Sequence, residues 1–416
     1  MFFFYQIIIT ILLITSPIII IYRLIKKKEN IRRFKEKFSF TSQKRKKGKL
    51  IWFHGASVGE IMSIIPLIKN YEKNKSVNQI LITSCTLSSS KIIEKFNFKK
   101  TTHQFYPIDY FFFTNNFLKY WKPSLAIFIE SEIWPSMFKN LKHKKIPLIL
   151  LNARLTEKTF NRWMKIRYIS KKIFKKITVA FPQNLETKFF LKKLNLKKIN
   201  FIGNLKFAKN YDENLVKLNN RLQNQFDKKK IWVASSTHKN EEILCAKAHI
   251  ELKKKVKNLI TIIIPRHIHR VEEIIDELKN ENLNIALHST NIKNLSKIDI
   301  YIVDTFGETE KFHKIASSVF LGGSIIKRGG QNPLEAARFG ANIIHGPNVD
   351  NFKDVYKFLK SLKVSNKVNT VRQLVSSIKF KKNKIASIKI KKIGEKILKK
   401  TIKQLDNLIN NELKKT

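Results

Sequence analysis

The sequence predicts an α/β protein in which two Rossmann-like domains face a central cleft. From Lys49 onward, apolar runs rich in β-branched residues alternate with helical stretches, which is typical of a parallel sheet wound with helices. A polar stretch rich in Lys and Asn, residues 208–230, separates two such series. At 416 residues, the chain also exceeds what one hydrophobic core usually serves.

We therefore divide the chain into a transmembrane anchor, a basic juxtamembrane segment, two domains with a linker, and a basic C-terminal helix. In order, these segments are residues 1–22, 23–48, 49–207, 208–230, 231–380 and 381–416, with 208–230 as the linker. The strands expected in the first domain are 50–54, 79–84, 125–130, 146–151, 177–181 and 200–202. Those expected in the second domain are 231–235, 259–264, 284–288, 299–303, 318–321 and 341–345. Helices are expected at 61–73, 185–194, 241–254, 269–278, 333–339 and 352–362.

The amino terminus predicts one membrane-spanning helix. Phe2 to Tyr22 is apolar apart from four polar residues, and its length matches the ~20 residues needed to cross a bilayer. Basic residues follow this run instead of preceding it, unlike in a secretory signal peptide. The positive-inside rule then keeps the remaining chain in the cytoplasm, against the anionic lipid of a bacterial inner membrane. The alternative, a shallow interfacial helix, is disfavoured because the run shows no polar face.

The net charge of +51 would ordinarily suggest a nucleic-acid or membrane partner. However, Lys, Asn, Ile and Phe can all be encoded by codons of A and T alone, so genome composition explains part of the excess. The sequence contains no zinc-finger, RRM or KH pattern, and we do not expect a nucleic-acid partner. Cys85 and Cys245 are isolated, which indicates a reducing compartment without structural metal.

The motif WFHGASVGE, residues 52–60, is the stretch around which the first domain is organised. It predicts a buried strand, a tight small-residue loop and the start of a helix, which places Glu60 at the carboxyl end of a strand. There Glu60 could accept a proton from a hydroxyl group lying over the loop. Alternatively, Glu60 only complements the positive end of the helix dipole.

Two further motifs place charged residues after strands of the first domain. In ESEIWP, residues 130–135, we expect Glu130 to have a site role, because a charge leaving a buried strand is costly without a partner. For Glu132, capping of the next helix is the favoured interpretation. In GNLKF, residues 203–207, Lys206 closes the domain and could reach towards the cleft.

The second domain carries small-residue and basic motifs at the ends of its predicted strands. Ser235 to His238 offers hydroxyl and backbone N–H groups to an anion, and Arg266 offers a guanidinium suited to a phosphate. In GGQNPLE, residues 329–335, Asn332, Pro333 and Glu335 fit the N-cap, N1 and N3 positions of a helix. The same geometry would direct free N–H groups at a ligand above the glycines. Neither GxGxxG nor GxxxxGK[ST] is present, which disfavours a dinucleotide or P-loop enzyme.

Nine motifs, in this order and spacing, resemble the Kdo transferase family, which attaches 3-deoxy-D-manno-octulosonic acid (Kdo) to lipid A precursors. They are WFHGASVGE, ESEIWP, NARLT, GNLKF, SSTH, PRH, DTFGE, GGS and GGQNPLE. The resemblance implies an inverting, metal-independent GT-B glycosyltransferase that uses CMP-Kdo as donor and lipid IVA, a tetraacylated disaccharide bisphosphate, as acceptor. One departure is visible: Gln331 stands where the family commonly has His, which puts a cationic role at this position in question.

The resemblance also assigns roles to residues. Glu60 would be the general base, and Glu130 and Lys206 would stabilise the transition state. The residues that would hold CMP are Pro265, Arg266, Phe306, Gly307, Glu308, Asn332, Pro333, Leu334 and Glu335. Two other hypotheses stay open: a GT-B transferase with another nucleotide sugar, such as a UDP-sugar, and a membrane-tethered basic protein that binds RNA or anionic lipid without catalysis.

Overall fold

The computed structural model describes residues 2–208, 216–290, 292 and 294–413. These residues form two compact units. Unit 1 contains the described residues up to 208 together with those from Gly394 onward, and unit 2 contains those from 216 to Ile393. Part of the predicted linker, residues 209–215, lies outside the described residues.

Unit 1 is built on a six-stranded sheet in which every pairing is parallel. Its strands are β1 (Leu50–His54), β2 (Gln79–Ser84), β3 (Thr101–Phe105), β4 (Leu125–Ile129), β5 (Leu148–Ala153) and β6 (Val179–Pro182). Their order across the sheet is β3-β2-β1-β4-β5-β6, the order found in dinucleotide-binding Rossmann sheets. The winding direction reverses between β1 and β4, so the carboxyl ends of these two strands flank the crevice in which such sheets bind ligands.

Helices cover both faces of this sheet, which explains why β1 and β4 are buried at every position. The helices of unit 1 up to residue 193 are α1 (Phe2–Ile25), α2 (Val58–Lys73), α3 (Leu87–Glu94), α4 (Phe111–Trp121), α5 (Pro135–His143), α6 (Glu157–Lys165), α7 (Arg167–Phe174) and α8 (Leu185–Lys193), of which α1 is largely exposed. Aromatic rings fill much of the core: Trp52 packs at 4.8 Å from Phe117 and at 5.1 Å from Phe128, measured between ring centroids.

Unit 2 is a second, seven-stranded parallel sheet, ordered β13-β12-β11-β7-β8-β10-β9. The strands are β7 (Lys230–Thr237), β8 (Leu259–Pro265), β9 (Ile285–Leu287), β10 (Ile300–Ile302), β11 (Ser318–Leu321), β12 (Asn342–His345) and β13 (Ser365–Lys367). Its helices are α9 (Asn220–Phe226), α10 (Glu241–Lys253), α11 (Val271–Lys279), α12 (Thr309–Ile315), α13 (Leu334–Ala337), α14 (Lys353–Ser361) and α15 (Val371–Ser377). Here the winding reverses between β7 and β11. The final helix, α16 (Lys384–Leu413), contains the boundary between the two units, at Ile393 and Gly394.

Most predicted strands are confirmed, and the exceptions have physical reasons. Residues 200–202 form no strand; an isolated bridge joins Ile199 to Ala180 instead. The sequence does not predict β3 or β13, which are short, polar and located at sheet edges, where no apolar run is required. Within the predicted linker, α9 forms because Leu222 and Phe226 are buried in unit 2.

Gly394 of α16 is expected to tolerate no side chain. A Cβ atom at this position would lie 1.9 Å from the carbonyl oxygen of Phe207, a backbone atom that cannot rotate away. We expect Gly394→Ala to lower the free energy of unfolding by about 1–3 kcal/mol, measured by thermal or chemical denaturation in detergent. Gly59→Ala is the control, since no atom lies within 4 Å of its added Cβ; equal losses in the two variants would contradict the prediction.

Candidate active site

Glu60 lies in the first turn of α2, immediately beyond the carboxyl end of β1. Ser57 is the N-cap of this helix, and its hydroxyl oxygen accepts a hydrogen bond from the Glu60 N–H at 3.4 Å. In return, the Glu60 carboxylate accepts from the Ala56 N–H at 2.7 Å and from the Ser57 hydroxyl at 2.9 Å. Glu60 therefore does complement the helix start, as in a capping box, and this role holds it at the switch point of the sheet.

The environment of Glu60 suits a proton acceptor. Burial, followed by the nearby Glu132 and Glu130 carboxylates, raises the pKa of Glu60 to about 7, although the bonds from Ser57 and Ala56 act in the opposite direction. A carboxylate with a pKa near neutral can both take up and release a proton at cellular pH. Capping and base chemistry are thus compatible at this position.

Glu130 follows β4 and is held in an uncommon backbone conformation. Its φ is +55°, in the left-handed region that non-glycine residues rarely adopt. The residue is buried, and its Oε1 lies 2.6 Å from the Nζ atom of Lys206. Asn152 contributes to this pair, because its side-chain oxygen accepts from the Leu205 N–H at 2.9 Å and so fixes the backbone next to Lys206. The structure therefore brings two predicted site residues, Glu130 and Lys206, into direct contact.

The interpretation of Glu132 as a helix cap is wrong. Helix α5 begins at Pro135 with Trp134 as its N-cap, and the carboxylate that accepts its first N–H groups is that of Asp109. Instead, Glu132 Oε2 accepts from the Trp134 indole N–H at 2.9 Å and lies 3.2 Å from His54 Nε2. His54 is fully buried and stacks on Tyr106, with ring centroids 3.9 Å apart. Glu132 and His54 thus belong to the surroundings of Glu60. The signal for this in the sequence is a His at the carboxyl end of the buried strand β1, within the first motif.

Removing the Lys206 cation should affect both stability and chemistry. Lys206→Met leaves the mostly buried Glu130 carboxylate without its ion-pair partner, and we expect a loss of roughly 3 kcal/mol in unfolding free energy. The double variant Lys206→Met, Glu130→Gln removes both charges and should recover most of that stability without recovering any enzymatic activity. Thermal unfolding and turnover measurements on the three proteins check this; a fully active double variant would show that the pair is only structural.

In unit 2, three predicted motifs lie side by side at the carboxyl edge of the sheet. The Arg266 N–H donates to the Thr237 carbonyl oxygen at 3.0 Å, and the Gly322 N–H donates to the Ser235 carbonyl oxygen at 2.9 Å. The loops after β7, β8 and β11 are thereby joined at the switch point between β7 and β11. A fourth motif is attached to them, since the Gly330 N–H donates to the Gly323 carbonyl oxygen at 3.0 Å.

This edge of unit 2 is strongly positive. The His238 and His267 rings lie 5.8 Å apart between centroids. Burial lowers the pKa of His238, and the neighbouring His267, Arg328, Arg266 and Arg270 lower it further. Surrounding cations that oppose protonation of a histidine also attract an anion, so this edge is suited to bind one.

Glu241 organises the glycine loop of this site. It is fully buried at the start of α10, and its two oxygens accept four backbone hydrogen bonds. The donors are the N–H groups of His238 at 3.0 Å, Gly323 at 2.7 Å, Ser324 at 3.1 Å and Ile325 at 3.0 Å. The sequence pattern does not indicate this role, because an acidic residue in a first helical turn ordinarily suggests only a dipole partner.

The remaining predicted donor-binding residues are distributed along the same edge. Pro265 ends β8, next to Arg266. Phe306, Gly307 and Glu308 follow β10; the Phe306 side chain is 79% exposed, and Glu308 pairs with Lys311 at 2.7 Å.

The predicted capping of α13 requires correction by one position. Pro333 is the N-cap and Leu334 is the first helical residue. Asn332 accepts the Leu334 N–H at 3.2 Å, two residues along the chain, as in an Asx turn. Glu335 is therefore the second residue of a helix of only four residues.

Among residues 2–208, 216–290, 292 and 294–413, no group of three or more His, Cys, Asp or Glu side chains could hold a metal ion. The metal-independent chemistry expected from the sequence stays a prediction.

Two parallel α/β units, each with polar side chains at its switch point, define a two-domain protein of the GT-B fold class. Among solved structures, the chain is similar to the UDP-GlcNAc 2-epimerase from Neisseria meningitidis bound to UDP-GlcNAc, with a TM-score of 0.57 and 12% identity; the match covers 88% of this chain and 100% of that one. At this identity, the similarity supports the fold alone.

The sequence comparisons define the family. Residues 32–209 match the family model described as 3-deoxy-D-manno-octulosonic-acid transferase (kdotransferase). The 3-deoxy-D-manno-octulosonic acid transferase of Rickettsia bellii is 36% identical over 381 residues, which cover 91% of this chain and 90% of that protein. The enzyme of the same name from Haemophilus influenzae is 29% identical, over 77% of this chain and 76% of that protein. The chain belongs to the Kdo transferase family, as its nine motifs predict.

Proposed function

We propose that this Kdo transferase moves Kdo from CMP-Kdo to lipid IVA, with inversion at the anomeric carbon and without a metal ion. The observation that carries the proposal is Glu60, a carboxylate with a pKa of about 7 at the switch point of the unit 1 sheet. The lipid acceptor agrees with the apolar helix α1, which is long enough to serve as a membrane anchor. The protein would act at the cytoplasmic face of the bacterial inner membrane.

In the proposed reaction, Glu60 takes the proton from a hydroxyl group of the acceptor as the oxygen attacks the anomeric carbon of Kdo. A new carbon–oxygen bond forms on one face of the sugar while the bond to the CMP phosphate breaks on the other, and CMP leaves with the electron pair. Inversion follows from this single displacement. Glu130 and Lys206, held 2.6 Å apart, would stabilise the charges that develop near the acceptor.

The CMP phosphate would bind to unit 2. Arg266 supplies a guanidinium, and the glycine loop fixed by Glu241 supplies a rigid backbone beside it. Fixed cations of this kind can neutralise a leaving phosphate, which is the task that a divalent ion performs in other transferases. We propose that Pro265, Phe306 to Glu308 and Asn332 to Glu335 complete the CMP site.

The test is a product mass. Membranes containing the protein are incubated with CMP-Kdo and lipid IVA in excess EDTA, and the lipid is analysed by mass spectrometry. We expect lipid IVA carrying one or more Kdo residues, and the mass also counts the number of transfers. Product that forms only after Mg²⁺ is restored would refute the metal-independent mechanism.

Thermal shifts separate the remaining alternatives. Stabilisation by CMP supports the proposal, whereas stabilisation by UDP alone would indicate a different nucleotide sugar. A protein that binds RNA with steep salt dependence, and forms no glycosylated lipid, would instead be a non-catalytic basic protein.

A further inference from the structure

Helix α1 has one covered face and one exposed apolar face. The less exposed residues recur every three or four positions, as expected for one side of a helix: Tyr5, Gln6, Ile9, Thr10, Leu13, Ser16, Ile20 and Arg23. Ser16 and Ile20 are buried at 8% exposure each. The opposite face consists of exposed apolar side chains: Ile7, Ile8, Ile11, Leu12, Ile14, Ile18, Ile19, Ile21, Tyr22 and Ile25.

The beginning of α1 is bonded to a polar socket on unit 1. The Tyr5 hydroxyl donates to Asp109 at 2.7 Å, and the Gln6 amide donates to the Ser136 hydroxyl at 2.8 Å. The side-chain amide oxygen of Gln6 also accepts the backbone N–H of Phe111 at 3.0 Å. Asp109 is itself 2% exposed and accepts the N–H groups that open α5. The socket is therefore part of the folded unit.

The end of α1 is held by ion pairs with the segment that follows it. Arg23 pairs with Glu29 at 2.6 Å, and Glu29 also pairs with Lys37 at 2.5 Å. The Lys37 carbonyl oxygen accepts the N–H of Ile108, the neighbour of Asp109 in the chain. Tyr5 and Arg23 are separated by about 27 Å of helix, and contacts or burial recur along that length: Tyr5 and Gln6 are bonded at the start, Ser16 and Ile20 are buried further along, and Arg23 is paired near the end. The helix thus lies along the unit.

These contacts conflict with a spanning helix. A helix that crosses the bilayer separates its two ends by ~30 Å of hydrocarbon. Tyr5 and Gln6 would then be far from Asp109 and Ser136, which unit 1 keeps on the side of the basic segment. Tyr5 and Gln6 supply polar contacts that the sequence alone does not reveal, because their partners are distant in the chain.

We propose that α1 is an in-plane anchor, docked on unit 1 through its covered face, with its isoleucine face among the acyl chains of a single leaflet. Phe111 and Phe112, 40% and 59% exposed, extend that apolar face beside Gln6. The exposed residues Lys26, Lys27 and Lys28 follow the helix and would meet anionic lipid headgroups. The occupant of this surface is therefore bilayer lipid.

The docked helix also borders the surroundings of Glu60. Trp134, two residues before Ser136 of the socket, donates to Glu132, and its ring is 5.1 Å from that of Tyr106. Tyr106 in turn stacks on His54. An in-plane anchor would thus hold the proposed base at the membrane surface, where the headgroup of a lipid acceptor lies. This consequence rests on the proposed function, whereas the disposition of α1 does not.

The first test locates the amino terminus. In a full-length variant in which Cys85→Ser and Cys245→Ala remove the native thiols, a short uncharged tag with one Cys is placed before Met1. Sealed inner-membrane vesicles of known orientation are then treated with an impermeant maleimide. We expect labelling from the same side as Lys27→Cys, the cytoplasmic control. Labelling of the tag only from the opposite side would establish a spanning helix and overturn the proposal. Labelling needs no enzymatic activity, so its outcome is independent of whether Kdo transfer occurs.

The second test asks whether the helix is docked in the membrane. In the same variant without native thiols, Gln6→Cys and Phe111→Cys are combined and treated with a short bis-maleimide in intact membranes, because Phe111 is 40% exposed and its N–H bonds to Gln6. Ile7→Cys with Phe111→Cys is the matched control on the exposed face. Cross-linking of the first pair above the control supports docking. Equal or absent cross-linking of both pairs, in a protein that labels fully at each Cys after solubilisation, would refute it.

Discussion

Glu60→Gln is expected to lower kcat for Kdo transfer by about 10²–10⁴-fold, the range for loss of a general base. The amide keeps the shape of the side chain and an oxygen that can accept the Ala56 N–H, so the helix start should persist. It cannot take a proton from the acceptor. Steady-state kinetics with CMP-Kdo and lipid IVA should therefore show a large change in kcat and a small one in KM. Glu94→Gln, an exposed carboxylate of α3, is the control and should leave both unchanged.

The pH profile gives a sharper readout of the same residue. If Glu60 acts as the proposed base, its deprotonated carboxylate is the active form. With a pKa of about 7, activity should then fall roughly tenfold per pH unit below that value and level off above it. Glu60→Gln should abolish this rising limb. The free energy of unfolding should change in the opposite direction. Because the pKa of Glu60 is raised, the folded state binds the proton more tightly than the unfolded state does. The contribution of Glu60 to the free energy of unfolding should therefore fall as pH rises from about 4.5 to 7. If the variant kept the same fall in activity at low pH, or a kcat within tenfold of the parent enzyme, Glu60 could not be the general base.

The sequence predicts the architecture well because parallel strands buried on both faces are apolar along their whole length. β1, β4 and β8 show this pattern in residues 51–53, 125–129 and 262–264. The same rule explains the failures, since β3 and β13 are polar edge strands that need no apolar run. The central strands of each sheet are therefore predicted more accurately than its edge strands.

The site is predicted unevenly, for a different reason. Glu60, Glu130 and Arg266 each lie at or beyond the end of a predicted strand, and the chain order alone therefore places them at the carboxyl edge of a parallel sheet. Which of these residues touch each other depends on distant segments. The bond from the Leu205 N–H to Asn152, which holds Lys206 beside Glu130, has no local signature. The contacts of Tyr5 and Gln6 with residues more than a hundred positions away are hidden in the same way.

Glu241→Ala is expected to be among the most damaging substitutions in unit 2. It would leave four backbone N–H groups without their acceptor, three of them in the glycine loop after β11. Each unsatisfied buried donor costs about 1–3 kcal/mol, so we expect a loss of at least about 3 kcal/mol in unfolding free energy, measured by denaturant titration. Glu251→Gln is the matched control, because this carboxylate lies on the same helix in an exposed pair with Lys254, and it should change stability by less than about 0.5 kcal/mol.

Glu241→Gln separates loop positioning from folding. The amide retains only one oxygen, and its NH₂ group would face backbone N–H groups where the second oxygen now accepts them, so the loop should shift while most of the unit stays folded. We expect CMP to bind at least tenfold more weakly, measured by calorimetry on the folded variant. Simple electrostatics predicts the reverse, since removing a negative charge near Arg266 should favour an anion. The direction of the change in CMP affinity therefore distinguishes the two effects. Weaker CMP binding means that Glu241 holds the loop in the conformation that binds the phosphate. Tighter CMP binding means that the negative charge of Glu241 was the dominant effect.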